Sequence, residues 1–281
     1  MLRSSLPDRK VGLALSSGAA RGLAHIGVLE LLEKEGIPVN MIAGTSMGAI
    51  IGAMYAQGKN ANQIKALALD LGWKKLAQLL ALTPPKTGFL SGRKIKARLK
   101  EIIGEVDFAD LQMPFACVAT DIMTGEEVVI KQGPVLEAVI ASMSLPVIFK
   151  AARWQGRYLV DGGVVNPVPV SVLKDMGADF IIAVNVIIKP GDRAGNAHLK
   201  ERVQKEMGEV KEPGIFSMMM QLVNVASYQV VKSSLTGADI VIEPRVASIG
   251  FGDFRHAREC IFQGELAAQD SVQEIKRRLA D

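Results

Sequence analysis

Twice in succession near its N-terminus, this chain runs a short apolar stretch into a glycine-bearing turn and then into a segment of helical periodicity. The first unit is Lys10-Val-Gly-Leu-Ala-Leu-Ser16, followed by the turn Ser17-Gly18-Ala19-Ala20-Arg21-Gly22. Leu23, Ile26, Leu29 and Leu32 then recur at helical spacing until Gly36 and Pro38 stop the helix. The second unit is a strand over Val39 to Ala43, a sharp turn from Gly44 to Gly48, and a helix rich in Ala, Ile and Met that ends near Gly58. A strand–turn–helix unit repeated in this way predicts a parallel sheet with helices packed on its faces.

The remainder continues the pattern. Residues 60–102 read as helices broken at Gly72, Thr83-Pro84-Pro85 and Gly88. Met113 to Thr120 and Glu126 to Ile130 are strands joined as a hairpin, and Leu136 to Met143 is a helix. Arg157 to Val160 is a strand running into Asp161-Gly162-Gly163, Pro167 to Met176 a helix, and Phe180 to Ile187 a strand. Residues 189–214, rich in Gly, Pro, Asn, Asp and charge, read as a loop or mobile lid with a short helix from Lys200 to Gly208. Phe216 to Leu235 returns to helix, Ile240 to Ile242 is a strand, and Phe254 to Leu279 is an amphipathic helix. The apolar pattern never lapses for long, so one domain is expected over residues 10–260. A frayed polar segment (1–9) precedes it, and the C-terminal helix over 261–281 packs on it.

Charge and length exclude several classes. The 281 residues carry a net charge of +4 with basic and acidic residues interspersed, which argues against a nucleic-acid binder and favours an anionic membrane surface over a neutral one. No stretch approaches the roughly 20 apolar residues of a spanning helix; Phe216 to Val231 is interrupted by Gln221, Asn224 and Gln229. The apolar run Val11 to Leu15 is too short for a signal-peptide core. Cys117 and Cys260 lie in apolar surroundings with no pairing or metal-ligand spacing, and read as reduced core thiols. A soluble cytoplasmic protein with only peripheral membrane contact is expected.

The chemistry centres on Gly44-Thr45-Ser46-Met47-Gly48, a G-x-S-x-G pentapeptide between a strand and a helix. Such a turn holds a serine in strained geometry with its oxygen exposed, and small flanking residues let backbone and substrate approach. The helix that follows aims its N-terminal N–H groups and dipole at developing negative charge. The Ser16–Gly22 turn lacks the G-x-G-x-x-G spacing of a dinucleotide site, since Gly18 and Gly22 are its only glycines; an anion-binding turn beside Ser46 fits it better. Two candidates can serve as the base for Ser46. Asp161 stands at a strand end with Gly162 and Gly163 leaving it uncrowded. His256 follows both in the Ser…Asp…His order of an α/β-hydrolase triad. His25 lies inside the first helix and His198 in the 189–214 segment.

Taken together these residues resemble the patatin-like phospholipase family in its compact bacterial form. Four blocks carry the resemblance in order: Leu13 to Leu29 as the glycine-rich turn, Gly44 to Gly48 as the nucleophile elbow, Ala141-Ser-Met-Ser-Leu-Pro146, and Asp161-Gly-Gly163. Val118-Ala-Thr-Asp121 with Thr124-Gly-Glu126, and Met176-Gly-Ala-Asp179, also resemble it, so that the similarity spans roughly residues 10 to 260. The resemblance implies a three-layer α/β/α sandwich with a mostly parallel central sheet, lipid acyl hydrolase activity, and neither metal nor cofactor. It implies Ser46 as nucleophile and Asp161 as base in a dyad without histidine. The oxyanion donors would be the backbone N–H groups of Ser17, Gly18 and Ala19, with Arg21, Gly22, Gly44, Gly48, Gly162 and Gly163 supporting the motifs. This chain departs from the family's run of glycines at Ser16, Ser17 and Ala19, so the oxyanion hole is expected to be narrower or to lose a donor unless φ stays negative there.

Two further readings stay open. One is a Ser46–Asp161–His256 triad esterase; the other is a catalytically weak binding or regulatory protein that keeps the fold. Met218, Met219 and Met220 with Leu222, Val223 and Val225 read as a core helix first, and otherwise as the lining of an acyl channel or a contact in a homo-oligomer. Trp73 to Leu82 reads the same way, as core helix or lipid-facing lid.

Overall fold

The computed structural model describes residues 9–70, 92–146, 149–190 and 215–280. His198, Trp73 to Leu82, residues 1–8 and nearly all of the 189–214 segment lie outside the described residues. Strand β1 (Val11–Leu15) lies at the middle of the sheet, with β2 (Met41–Thr45) on one side and β7 (Phe180–Val184) on the other, all parallel. Outward from β2 come β3 (Phe115–Asp121), parallel to it, then β6 (Arg157–Asp161) and β5 (Ala152–Trp154), both antiparallel to their neighbours. Strand β4 (Glu127–Ile130) makes the expected hairpin with β3, and β8 (Ile240–Ile242) extends the other edge, parallel to β7.

Alternation along the strands separates two cores, as side chains of period two must. Val11, Leu13, Leu15, Ile42, Phe180, Ile182 and Val184 point to one face. There they meet α1 (Ala24–Lys34), α2 (Met47–Ala56), α3 (Ala61–Leu69), α4 (Gly92–Ile103), α5 (Val135–Ser142) and α8 (Ala257–Ala280). Ala14, Met41, Ala43, Ala116, Ile181 and Ala183 point to the other face, against α6 (Val170–Asp175) and α7 (Ile215–Ser234). The result is a three-layer α/β/α sandwich with a mostly parallel sheet. The C-terminal helix is built into it: α1 and α8 touch backbone to backbone. A Cβ on Gly27 would lie 1.9 Å from the Ile261 carbonyl oxygen, and one on Gly264 1.9 Å from that of Ala24. Among the described residues no helix is long and apolar enough to cross a membrane.

Several boundaries differ from expectation for physical reasons. β2 runs on through Gly44 and Thr45, which pair with Leu15 and with Cys117 and Val118, so the turn is compressed onto Ser46 alone. Helix α6 starts only at Val170, because Pro167 and Pro169 keep the preceding segment extended. β7 stops at Val184: the Val186 N–H leaves the ladder and donates to Ser16 Oγ. The short strand β5 went unseen in the sequence. It is joined to β6 by Gln155 and Gly156, both at positive φ (46° and 81°), the two-residue hairpin geometry that matches strand twist. Helix α7 is not a core helix: Met218 and Leu222 are exposed, and only its other side is buried.

Candidate active site

The loop between β2 and α2 puts Ser46 at φ 55° and ψ −113°, a conformation that a residue with a side chain rarely takes. Packing on both sides enforces it. A Cβ on Gly44 would lie 2.4 Å from the Gly48 carbonyl oxygen, and one on Gly48 2.2 Å from that of Leu15, so both glycines are required by the close approach of neighbouring backbone. Thr45 Oγ1 donates to the Asn166 carbonyl (2.9 Å), and the Ser46 N–H donates to Ser142 Oγ (2.9 Å). Helix α2 begins at the next residue, so its positive end lies at Ser46.

Asp161 ends β6 and is held at every backbone atom that can hold it. Its N–H donates to the Ser144 carbonyl (3.0 Å), and its own carbonyl accepts from Thr120 Oγ1 (2.9 Å). The Gly163 N–H donates to carboxylate Oδ1 (2.8 Å). Gly162 allows the chain to turn against β3, where a Cβ would lie 2.3 Å from the Val118 carbonyl oxygen. Burial pushes the Asp161 carboxyl up to about 6, against the opposing pull of the nearby Ser46 hydroxyl and the Gly163 N–H. The hydroxyl is close enough to favour the carboxylate without completing a hydrogen bond, since Oδ2 has no partner among the described residues. Contacts of this kind tighten when substrate binds.

The turn after β1 faces the same cleft, but not with the donors expected of it. The Ser17 N–H donates to the Pro167 carbonyl (2.9 Å), so that amide is already taken by the scaffold. The Gly18 and Ala19 amides take no acceptor from the described residues, whereas Ala20 N–H goes to the Phe251 carbonyl (3.0 Å). Gly18 must be glycine, because its φ is 152° and a Cβ would meet Val186 Cγ2 at 2.4 Å. Ala19 sits at φ 48°, so φ does not stay negative there, and the alanine carries strain in place of the family's glycine.

Arg21 is buried, and its Nε donates to the Ile249 carbonyl (2.9 Å), tying the turn to the loop before α8. Gly22 leaves room for Met47, whose Cγ would lie 2.5 Å from a Cβ. One cleft brings together Ser17, Gly18, Arg21, Ser46 and Asp161. Leu145, Ile187 and Phe251 form apolar walls, and Val223, Asn224 and Ser227 of α7 form another side.

Neither described histidine joins them. His25 is fully buried, and burial pushes its imidazole down to about 4. Its Nε2 donates to the Ser16 carbonyl (2.8 Å), so it holds the turn from behind. His256 is half exposed, pairs through Nδ1 with Asp253 (2.9 Å), and does not line the cleft. Ser142 and Ser144 are the site residues that the sequence reading left without roles. The Ala141–Pro146 block carried them, but nothing in it distinguishes a buried hydroxyl from any other helix-end serine. Both cysteines are free and buried, and among the described residues no cluster of His, Cys, Asp and Glu could hold a metal ion.

The chain is similar to several known proteins. Residues 13–174 match the family model described as patatin-like phospholipase. An uncharacterized NTE family protein of Mycobacterium bovis is 36% identical over 188 residues, covering 67% of this chain and 51% of its own. Neuropathy target esterase sws of Drosophila melanogaster is 36% identical over 188 residues, 64% of this chain and 13% of its own. The chain thus spans about half the length of the mycobacterial relative and a small part of the fly protein. Among solved structures, VipD from Legionella pneumophila superposes with a TM-score of 0.56 at 14% identity, covering 95% of this chain and 67% of its own, a likeness of fold. On the family match over more than half its length, the chain belongs to the patatin-like phospholipase family.

Proposed function

We propose that this protein hydrolyses acyl esters of lipids, with Ser46 as nucleophile and Asp161 as general base. The observation that carries the reading is the pairing, in one cleft, of a serine at strained positive φ with a buried carboxyl whose pKa is raised toward neutrality. A carboxylate at the ordinary value of about 3.9 is a weak base at neutral pH, and one near 6 is better matched to the task. Asp161 takes the Ser46 proton as Oγ attacks the ester carbonyl carbon. The carbonyl π pair moves onto oxygen, which is stabilised by the Gly18 and Ala19 amides and the positive end of α2. Collapse expels the alcohol, which receives the proton from Asp161. Water then attacks the acyl-enzyme, giving its proton to Asp161, and Ser46 leaves reprotonated with release of the acid. The family, patatin-like phospholipases, and a relative that is an esterase support this class of reaction. The apolar walls at Leu145, Ile187, Val223 and Phe251 suit an acyl chain. We assign the protein a peripheral contact with an anionic membrane surface, on its net charge of +4.

The test is hydrolysis of a p-nitrophenyl acyl ester. Ser46→Ala should abolish turnover while leaving the circular dichroism spectrum unchanged. Equal turnover in that variant would remove the proposal.

A further inference from the structure

We propose that the hydroxyl of Ser17, not its amide, completes the oxyanion hole of this chain. The inference rests on the hydrolase reading above and assigns a catalytic role to a side chain that stands where the family pattern has a glycine.

Four observations converge on it. The Ser17 N–H is taken by the Pro167 carbonyl, so the turn offers only two amides, from Gly18 and Ala19. Ser17 lines the cleft together with Ser46 and Asp161. Its hydroxyl has no hydrogen-bond partner among the described residues, although Ser17 is only 7% exposed. It also converges with Asp161 on Gly163: Ser17 Oγ and Asp161 Oδ1 are each 3.0 Å from the point a Gly163 Cβ would occupy. The Oγ atom still reaches the solvent of the cleft, so its donor can turn to a bound substrate without breaking a bond to the scaffold.

The neighbouring serine shows the contrast. Ser16 uses every polar group it has on the scaffold: its N–H donates to Val184, its Oγ accepts from Val186, and its carbonyl accepts from His25. Ser17 is pinned at its amide and free at its side chain. Unlike Ala19, it is not in the positive-φ region, so the turn accommodates its Cβ without backbone strain. A serine hydroxyl has one donor that rotates to suit its acceptor, and side-chain donors of this kind stabilise oxyanions as amides do.

The experiment compares wild type with Ser17→Ala, Ser17→Gly and Ser17→Thr on a soluble acyl ester across pH. Loss of one oxyanion donor costs about 10²–10³-fold in kcat. Ser17→Ala and Ser17→Gly should therefore lose about that factor in kcat with KM within about threefold, because the interaction is made in the transition state. Ser17→Thr, which keeps the hydroxyl, should stay within about tenfold of wild type. The midpoint of the pH–rate profile should not move. Unchanged kcat in Ser17→Ala or Ser17→Gly would overturn the assignment. A shifted midpoint with kcat restored at higher pH would overturn it too, since Ser17 would then be acting through Asp161. Two variants at one position guard against a folding defect in either. Absence of turnover in wild type would instead defeat the hydrolase reading itself.

Discussion

Ser46 and Asp161 come together across the middle of a strand that belongs to neither. In β3, Val118 is paired with Thr45 on one side, and the next residue, Ala119, is paired with Asp161 on the other. Ser46 is thus reached by a strand parallel to β3 and Asp161 by one antiparallel to it, and both leave the sheet at the same level. Residues 115 apart in sequence are set by the register of two ladders rather than by a loop. Sites built on strands in this way are held more tightly than sites on loops.

The raised pKa of Asp161 fixes the direction of the pH dependence. As base it must be ionised, so kcat/KM for a soluble ester should rise with pH through an apparent pKa of about 6 and then level off. A flat profile between pH 4.5 and 8 would contradict the assignment.

The same shift has a thermodynamic consequence of opposite sign. Asp161 binds its proton more tightly in the folded chain than in the unfolded one, so folding is favoured at low pH. That contribution is lost as pH rises from about 4 through about 6. Above that window the buried carboxylate costs about 3 kcal/mol, at about 1.4 kcal/mol per pKa unit. Asp161→Asn keeps an oxygen to accept from Gly163 and removes the charge. It should raise Tm at pH 8 by several degrees and by much less at pH 4, read by thermal unfolding at the two pH values.

Ser142 should matter without touching substrate. Its Oγ accepts from the Ser46 N–H inside a fully buried helix end. Ser142→Ala leaves that amide unsatisfied at the strained elbow, a cost of about 1–3 kcal/mol. We expect a lower Tm and a fall in kcat, with Ser142→Thr recovering part of both because it restores the acceptor.

Ala19 tests how this turn departs from its family. At φ 48° an alanine is disfavoured by roughly 1–2 kcal/mol relative to a residue free of a Cβ. Ala19→Gly should therefore stabilise the protein by about 1 kcal/mol in urea unfolding, after the larger entropy of an unfolded glycine is offset. A loss of stability would mean that the methyl packs well enough to outweigh the strain.

The sequence carried the parts of this site that depend on backbone geometry. Gly44, Gly48, Gly162 and Gly163 were legible because a nucleophile elbow and an acid-bearing tight turn leave few residues able to stand there. The sheet and its helical layers were legible from the first two strand–turn–helix units. What sequence could not reveal was which polar groups each neighbour would take. The Ser17 amide goes to Pro167, a partner 150 residues away, and the Ser46 amide to Ser142; neither pairing has a local signal. Helix α7 read as core because its composition is apolar, yet Met218 and Leu222 face outward while Val223, Asn224 and Ser227 face the cleft. His256 kept a triad arithmetically open by chain order, and its pairing with Asp253 outside the cleft is a tertiary fact.

The most direct test of the dyad is the rate at which a fluorophosphonate probe labels the protein, followed by intact mass and peptide mapping. Wild type should gain a single adduct at Ser46, and Asp161→Asn should gain it about 10³-fold or more slowly with the fold unchanged. An adduct on any other residue, or equal labelling rates in the two proteins, would contradict the account.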